Sequence, residues 1–286
     1  MNAMCASVPV ANRWSQHRRR ASVALLALLV AACGGDDGGG DAADPGGAEE
    51  TAAGGAADAG SSGGGKTVDP ATVGSVSGVV TLDGSPPERQ VLPMVGEAFC
   101  VQAHSDLKGF LDDRLLVQDG KVQNAFVWVK DGLDDYSFSG KGLPDAILDQ
   151  EGCLYTPKVL GVQLGQKVFA TTQDPVLHNV HSKPTINRAQ NIAMPQGSAP
   201  KELRFRKAEV MVPVGCDVHA WMKAYIGVVD HPYFAVTDGD GAFALPDLPP
   251  GDYTLGVWHE ELGEKEVPFT LEASGSLTLD PVVFSL

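Results

Sequence analysis

Turn-forming residues divide this chain into short segments from residue 70 onward. Seventeen of its 19 prolines lie there, together with five Asp-Gly pairs. Proline interrupts helices, and Asp-Gly favours the tight turns that join antiparallel strands. Runs rich in β-branched and aromatic residues lie between the turns, at 76–82, 125–129, 162–164, 168–171, 224–229 and 253–258. This pattern predicts an all-β fold built from sandwiches, with one short helix at 97–107.

The first 33 residues are typical of an export signal. Three arginines at 18–20 precede the apolar segment 21–32, which is too short to span a bilayer. The string 29–33 resembles a bacterial lipobox, in which the cysteine is acylated and becomes the new N-terminus. We therefore predict a lipoprotein signal peptide at residues 1–32 and a lipid anchor at Cys33. The alternative is an ordinary secretory peptide with a chance cysteine.

Residues 33–69 are predicted to form a disordered tether. Residues 34–69 contain 13 Gly and eight acidic residues, with almost no large side chain. Gly34 follows Cys33 directly, and this resembles lipoproteins that are sent to the outer membrane. We therefore expect a lipid-anchored protein of the Gram-negative cell envelope, on the periplasmic side of the outer membrane. The formal net charge of −15 argues against a nucleic-acid partner, which would require a basic face.

The five cysteines fall into separate classes. Cys5 lies in the signal peptide and Cys33 is the predicted anchor, so three remain. An odd number in an exported protein indicates that one of them is unpaired and has another role. Cys100 and Cys153 have unremarkable neighbours and are the best candidates for a structural disulfide. The alternative is that Cys216 pairs with one of these two and leaves the other free.

Cys216 belongs to the most informative motif of the chain, Cys-x2-His-x2-Met. Cys216, His219 and Met222 place a thiol, an imidazole and a thioether three residues apart. Such soft ligands select copper, and a blue-copper site requires two histidines, one cysteine and a weak axial methionine. His178, in a His-Asn pair after an alternating strand, offers the missing imidazole. The alternative for Met222 is plain core packing beside an aromatic residue.

Together these motifs resemble the cupredoxins of the plastocyanin, pseudoazurin and amicyanin type. The resemblance implies a Greek-key sandwich that binds one type 1 copper per chain. His178, Cys216 and His219 would be the equatorial ligands and Met222 the axial one. Asn179 matches the asparagine whose side chain ties the two ligand loops together.

The resemblance also implies a function. It covers about residues 152–229 and predicts an electron carrier, not an enzyme, with His219 near the surface as the exit for the electron. The acidic composition and the tether suit transient docking to a basic redox partner such as a cytochrome. Two alternatives remain open: a lipoprotein that binds and delivers copper, and an interaction module of the cell envelope.

The C-terminal part has a second pattern. Residues 235–255 read as strand, tight turn, strand, Pro-Gly turn and strand, which resembles the carboxypeptidase regulatory-like domain, a small transthyretin-like sandwich. The strand expected to begin such a domain lies far upstream, at 74–80. We therefore favour a cupredoxin inserted into this sandwich over two serial domains. The predicted parts are N-terminal strands at 70–131, a copper domain at 132–231 and the second sandwich at 232–286.

Three further histidines have two interpretations. His181, His231 and His259 could form a second, three-imidazole metal site. The favoured interpretation is that His231 and His259 form hydrogen bonds that lock the two sandwiches together.

Overall fold

Strands dominate the regular structure, as the turn chemistry predicts. The computed structural model describes residues 65–94, 96–105 and 110–286. Within them, one helix, α1 (Ala98–Ala103), occupies the middle of the predicted 97–107 segment. The strands are β1 (Gly74–Asp83), β2 (Val91–Leu92), β3 (Phe110–Leu111), β4 (Val117–Gln118), β5 (Lys121–Val122), β6 (Phe126–Asp131), β7 (Ala146–Glu151), β8 (Leu154–Thr156), β9 (Val159–Gln163), β10 (Val168–Ala170), β11 (His178–Ser182), β12 (Gln190–Met194), β13 (Lys201–Leu203), β14 (Glu209–Gly215), β15 (Lys223–Val229), β16 (Phe234–Val236), β17 (Ala242–Leu248), β18 (Gly251–His259), β19 (Gly263–Leu271), β20 (Ser276–Thr278) and β21 (Val282–Ser285). The all-β prediction is confirmed.

The N-terminal predictions fall largely outside the described residues. The signal peptide at 1–32, Cys33 as anchor and residues 33–64 of the tether all lie there. The end of the tether segment does have defined contacts, because Lys66 N–H donates to Asp135 O at 2.7 Å. In the described part of the chain, no helix combines the length and the apolar character that crossing a bilayer requires.

Strands β7 to β15 form what we call the central sandwich. One sheet has the order β13-β10-β7-β8, and the other has the order β12-β11-β14-β15-β9. Alternating apolar residues from both sheets, such as Leu148, Val180 and Val214, meet in one buried cluster. The pairing of β10 with β7 and of β15 with β9 is parallel, so both sheets are mixed.

The remaining strands, apart from the separate β2-β3 pair, form what we call the flanking sandwich. Its first sheet has the order β17-β1-β5-β4, with β20 and β21 also paired to β1, and its second has the order β16-β6-β18-β19. Residues including Val80, Leu245 and Leu255 fill the core between these sheets. Strands from both ends of the described chain meet here, since β1 pairs antiparallel with β17 and parallel with β20 and β21. The central sandwich therefore lies between β6 and β16 in the chain, and the described residues belong to one compact unit.

A separate aromatic cluster joins the two sandwiches. Phe126 and Trp128 of β6 pack with Val159 of β9 and Val229, which ends β15. Gly227 of β15 allows this approach, because a Cβ there would lie 2.5 Å from Phe126 Cζ. Strand β15, which follows the Cys-x2-His-x2-Met loop, is thus held against the flanking sandwich by close packing.

Candidate metal centre

The four predicted ligands lie at one end of the central sandwich. His178 begins β11, and Cys216 follows β14 directly. These two strands pair antiparallel, so the start of β11 lies beside the loop that leaves β14. His219 and Met222 belong to that loop, which ends where β15 begins. Sheet pairing thus brings together residues about 40 positions apart in sequence, as the hydrogen bond between His178 and His219 shows.

Two backbone hydrogen bonds close the loop 216–222. Met222 N–H donates to His219 O at 3.0 Å, and Cys216 N–H donates to Met222 O at 3.3 Å. These bonds return Met222 to a position beside Cys216. All four predicted ligands are buried, with exposed fractions of 0% for His178, 6% for Cys216, 2% for His219 and 1% for Met222.

Three donor atoms converge at this site. Cys216 Sγ and one ring nitrogen from each of His178 and His219 lie within 4.8 Å of one another. The two Nδ1 atoms are 2.9 Å apart, and Cys216 Sγ lies 3.8 Å from His219 Nδ1. Met222 belongs to the same apolar cluster as Cys216. A thiolate, two imidazoles and a thioether are a soft donor set, so the residues present fit a copper ion.

Asn179 connects the two segments that carry these donors. Its Oδ1 accepts hydrogen bonds from Asp217 N–H at 2.7 Å and from the Cys216 thiol at 3.3 Å. Its Nδ2 donates to Asp217 Oδ2 and to Asn191 Oδ1. The side chain therefore fixes the start of the loop against β11.

Sequence reasoning missed Asp174, which supports His178 from the other side. Asp174 Oδ2 lies 2.8 Å from His178 Nε2, and the carboxylate also accepts N–H groups from Gly152 and Cys153 at 2.8 and 2.7 Å. Only 3% of Asp174 is exposed. A carboxylate on the outer nitrogen of a histidine fixes the ring and its tautomer, leaving Nδ1 for a metal. The signal available in the sequence was an Asp four residues before the predicted ligand.

The surroundings of the donors favour the thiolate form of Cys216. Burial acts to raise the pKa of the Cys216 thiol, but hydrogen bonds with His178 and nearby backbone groups outweigh burial and lower it. Burial acts to lower the pKa of His178, but hydrogen bonds with Cys216 and Asp174 outweigh it, so the pKa is raised. Burial and the neighbouring His178 together lower the pKa of His219. Cys216 therefore ionises more readily than a free thiol, and the thiolate is the form that binds metals.

The expectation that His219 lies near the surface is wrong. Only 2% of this residue is exposed, and its Nε2 lies 3.8 Å from Cys100 Sγ. The structure contains a disulfide between Cys100 and Cys153, and Cys100 lies in α1. Trp221 packs on the same imidazole, with ring centroids 5.0 Å apart, and its Nε1–H donates to Cys153 O. The disulfide and the indole therefore cover the edge of His219 that was expected to face solvent.

The three histidines considered for a second metal site have separate partners. His181 Nδ1 lies 3.0 Å from Asp217 Oδ1. His231 Nε2 donates to Val129 O at 2.7 Å, and His259 Nδ1 accepts the N–H of Glu261. Among the residues that the structure describes, no three-imidazole group forms from them. The His231 and His259 hydrogen bonds stay within the flanking sandwich, so they do not lock the two sandwiches together either.

Comparison with known proteins finds partial likeness among solved structures. No family model matches the chain, and no curated protein matches it. A purple cupredoxin from Nitrosopumilus maritimus is 22% identical over 29% of this chain and 99% of its own, with a TM-score of 0.26. A copper-containing nitrite reductase from Thermus scotoductus SA-01 is 18% identical over 31% of this chain and 23% of its own, with a TM-score of 0.27. A variant of amicyanin in the Cu(I) form is 18% identical over 36% of this chain and 97% of its own, also with a TM-score of 0.27. The functional argument therefore rests on the geometry of the site itself.

Proposed function

We propose that this protein binds one type 1 copper ion through His178, Cys216, His219 and Met222 and acts as an electron carrier. The observation that carries the proposal is the convergence of three buried donors, with the two imidazole Nδ1 atoms 2.9 Å apart and the thiol sulfur 3.8 Å from one of them. When bound, copper supplies one-electron chemistry between Cu(I) and Cu(II).

The surrounding residues hold these donors in place before any metal arrives. Asp174 orients His178 through its outer nitrogen, and Asn179 ties Cys216 and Asp217 to β11. The backbone hydrogen bonds of Met222 with His219 and Cys216 restrict the loop 216–222. A scaffold that restrains its ligands limits their rearrangement, and a carrier of electrons needs little rearrangement between two oxidation states.

Burial of the site favours an electron carrier over a copper-delivery protein. A delivery protein must pass its metal to a partner through an accessible ligand. Here each of the four predicted ligands is 6% exposed or less. The disulfide beside His219 adds a covalent link over one side of the centre. We therefore propose slow exchange of copper and no substrate turnover by the protein.

The proposal for location rests on the N-terminal sequence. The positively charged and apolar segments, the lipobox-like string before Cys33 and the Gly-rich residues 34–69 support a lipoprotein on the periplasmic side of a Gram-negative outer membrane. The redox partner would meet the protein there by transient docking.

A copper titration of the full chain tests the proposed centre. We expect one equivalent of Cu(II) to produce an intense visible band from thiolate-to-copper charge transfer. Cys216→Ser and His178→Gln should both lose this band. His181→Gln is the matched control, because it removes a partly exposed histidine from the same strand and should keep the band. Copper that binds without colour, or a band that survives Cys216→Ser, would contradict the proposal.

A further inference from the structure

One stretch of this acidic protein is strongly basic. Residues 183–207 contain six Lys or Arg residues and a single acidic residue, Glu202, for a formal charge of +5. The whole chain has a formal charge of −15. Positive charge is therefore concentrated in the loops and short strands that follow β11 and lead to β14.

These basic residues surround a shaped surface, which we call the basic groove. It has a volume of about 670 Å³ and is lined from two directions, by residues 186–192 and by Arg204, Arg206 and Lys207. Asn187 joins the two sides, because its Oδ1 accepts N–H groups from Arg206 at 2.8 Å and from Lys207 at 3.1 Å. The groove is therefore built before any partner binds.

Buried Glu209 gives the groove its rigid base. Its carboxylate accepts backbone N–H groups from Thr185, Ile186 and Asn187, at 2.5 to 3.1 Å. Only 7% of Glu209 is exposed, so its charge is directed at the loop backbone and not at solvent. Since these bonds fix the loop, the guanidinium and ammonium groups beyond it are presented from a fixed backbone.

The positive charge of the basic groove is largely uncompensated. Arg204 pairs with Glu202 at 2.8 Å. Arg188, Arg206 and Lys207 are exposed, and within the described part of the chain none has a carboxylate at ion-pair distance. Such a surface attracts an acidic partner and accelerates the encounter at low ionic strength.

A chain of hydrogen bonds links the basic groove to the predicted copper ligand. Asn191 lines the groove, and its Oδ1 accepts from Asn179 Nδ2 at 2.7 Å. Asn179 Oδ1 in turn accepts from the Cys216 thiol at 3.3 Å. Asn179 and Asn191 therefore connect the Cys216 sulfur to the surface of the groove. The outer edge of His219, in contrast, is covered by Cys100.

We propose that the basic groove is the docking surface for an acidic face of a protein redox partner, so that the electron leaves on the Cys216 side of the site. This inference rests on the proposed electron-transfer function. It replaces the expectation of a basic partner, because net charge describes the whole chain whereas docking depends on the face nearest the redox centre.

Binding of poly-L-glutamate to the copper-free full chain tests the groove without using the metal. Isothermal titration calorimetry at low salt should detect binding, and the double variant Arg206→Glu and Lys207→Glu should lose it. The double variant Lys141→Glu and Lys167→Glu is the matched control, because it makes the same charge change at exposed lysines outside the groove. Equal loss in both variants, no binding by the native chain, or preferential binding of phosphatidylglycerol vesicles or of a second copy would overturn the proposal.

Oxidation of the copper-loaded, reduced protein by hexacyanoferrate(III) tests where the electron leaves. One electron passes from the protein to this anionic oxidant. If it leaves beside the groove, the rate constant should fall as ionic strength rises, and Arg206→Glu with Lys207→Glu should slow the reaction about tenfold at low salt. A rate that rises with ionic strength, as the net charge alone predicts, would place the exit elsewhere. If no blue centre forms, the proposed function is wrong. Binding of poly-L-glutamate to the copper-free chain then still tests whether the basic groove binds an acidic partner.

Discussion

Replacing Asp174 with asparagine should lower the copper affinity of the proposed site, although Asp174 contacts the ligand His178 and not the metal itself. The carboxylate accepts from His178 Nε2, Gly152 N–H and Cys153 N–H, and 3% of it is exposed. The asparagine amide keeps the shape of the carboxylate but loses its negative charge. Its NH₂ group cannot accept a hydrogen bond, so one of these three donors is left without a partner. Loss of such a partner typically costs 10- to 100-fold in metal affinity, or about 1.4 to 2.8 kcal/mol. The unsatisfied donor should also cost the copper-free fold about 1 to 3 kcal/mol.

Two measurements separate these effects. Urea unfolding of the copper-free chain gives the loss of stability, and a chelator competition under conditions where both proteins are folded gives the loss of affinity. The reduction potential should rise, because a less basic His178 stabilises Cu(II) less than before. Asp149→Asn is the matched control, since Asp149 is a hydrogen-bonded carboxylate on β7 that accepts from Thr171 Oγ1. Unchanged copper affinity in Asp174→Asn would refute the role assigned to this carboxylate.

Three other predictions concern the scaffold and the anchor. Hydrogen bonds from the 185–187 loop outweigh burial and lower the pKa of Glu209 to about 2, so its stabilisation is present above about pH 4.5 and is lost as the pH falls towards 2. Glu209→Gln should therefore lower the free energy of unfolding in urea by about 2 kcal/mol at pH 7, and by progressively less in acid. The control, exposed Glu202→Gln, should have little effect. A loss that does not change with pH would contradict the role assigned to Glu209. Gly227→Ala should lower the unfolding free energy by about 1 to 3 kcal/mol, because its Cβ would meet Phe126, and an unchanged urea midpoint would contradict this packing. Cys33→Ser should move the protein from the membrane fraction to the soluble periplasm, and a wild type that is already soluble would favour simple secretion.

The local parts of the site were predictable from the sequence. Cys216, His219 and Met222 lie within one loop, so their spacing alone indicates a shared metal. The runs between turns likewise overlap strands β1, β6, β9, β10, β15 and β18. Their ends and the length of α1 differ by a few residues, because local propensity does not set where pairing stops.

The surroundings of the site were not predictable from spacing. The cover over His219 comes from Cys100, 119 residues away in the chain, and depends on how α1 packs. The role of Asp174 depends on the turn at Gly152, which its carboxylate also binds. Net charge could not reveal the proposed docking surface, because it averages over the whole chain and conceals the basic segment 183–207.

X-ray absorption at the copper K-edge of the copper-loaded full chain tests the central claim most directly, since it reports the atoms bound to the metal. The account predicts one copper with two imidazole nitrogens and one thiolate sulfur as close neighbours, and loss of the sulfur neighbour in Cys216→Ser. A copper surrounded only by nitrogen and oxygen in the native chain, or a sulfur neighbour that persists in Cys216→Ser, would contradict it.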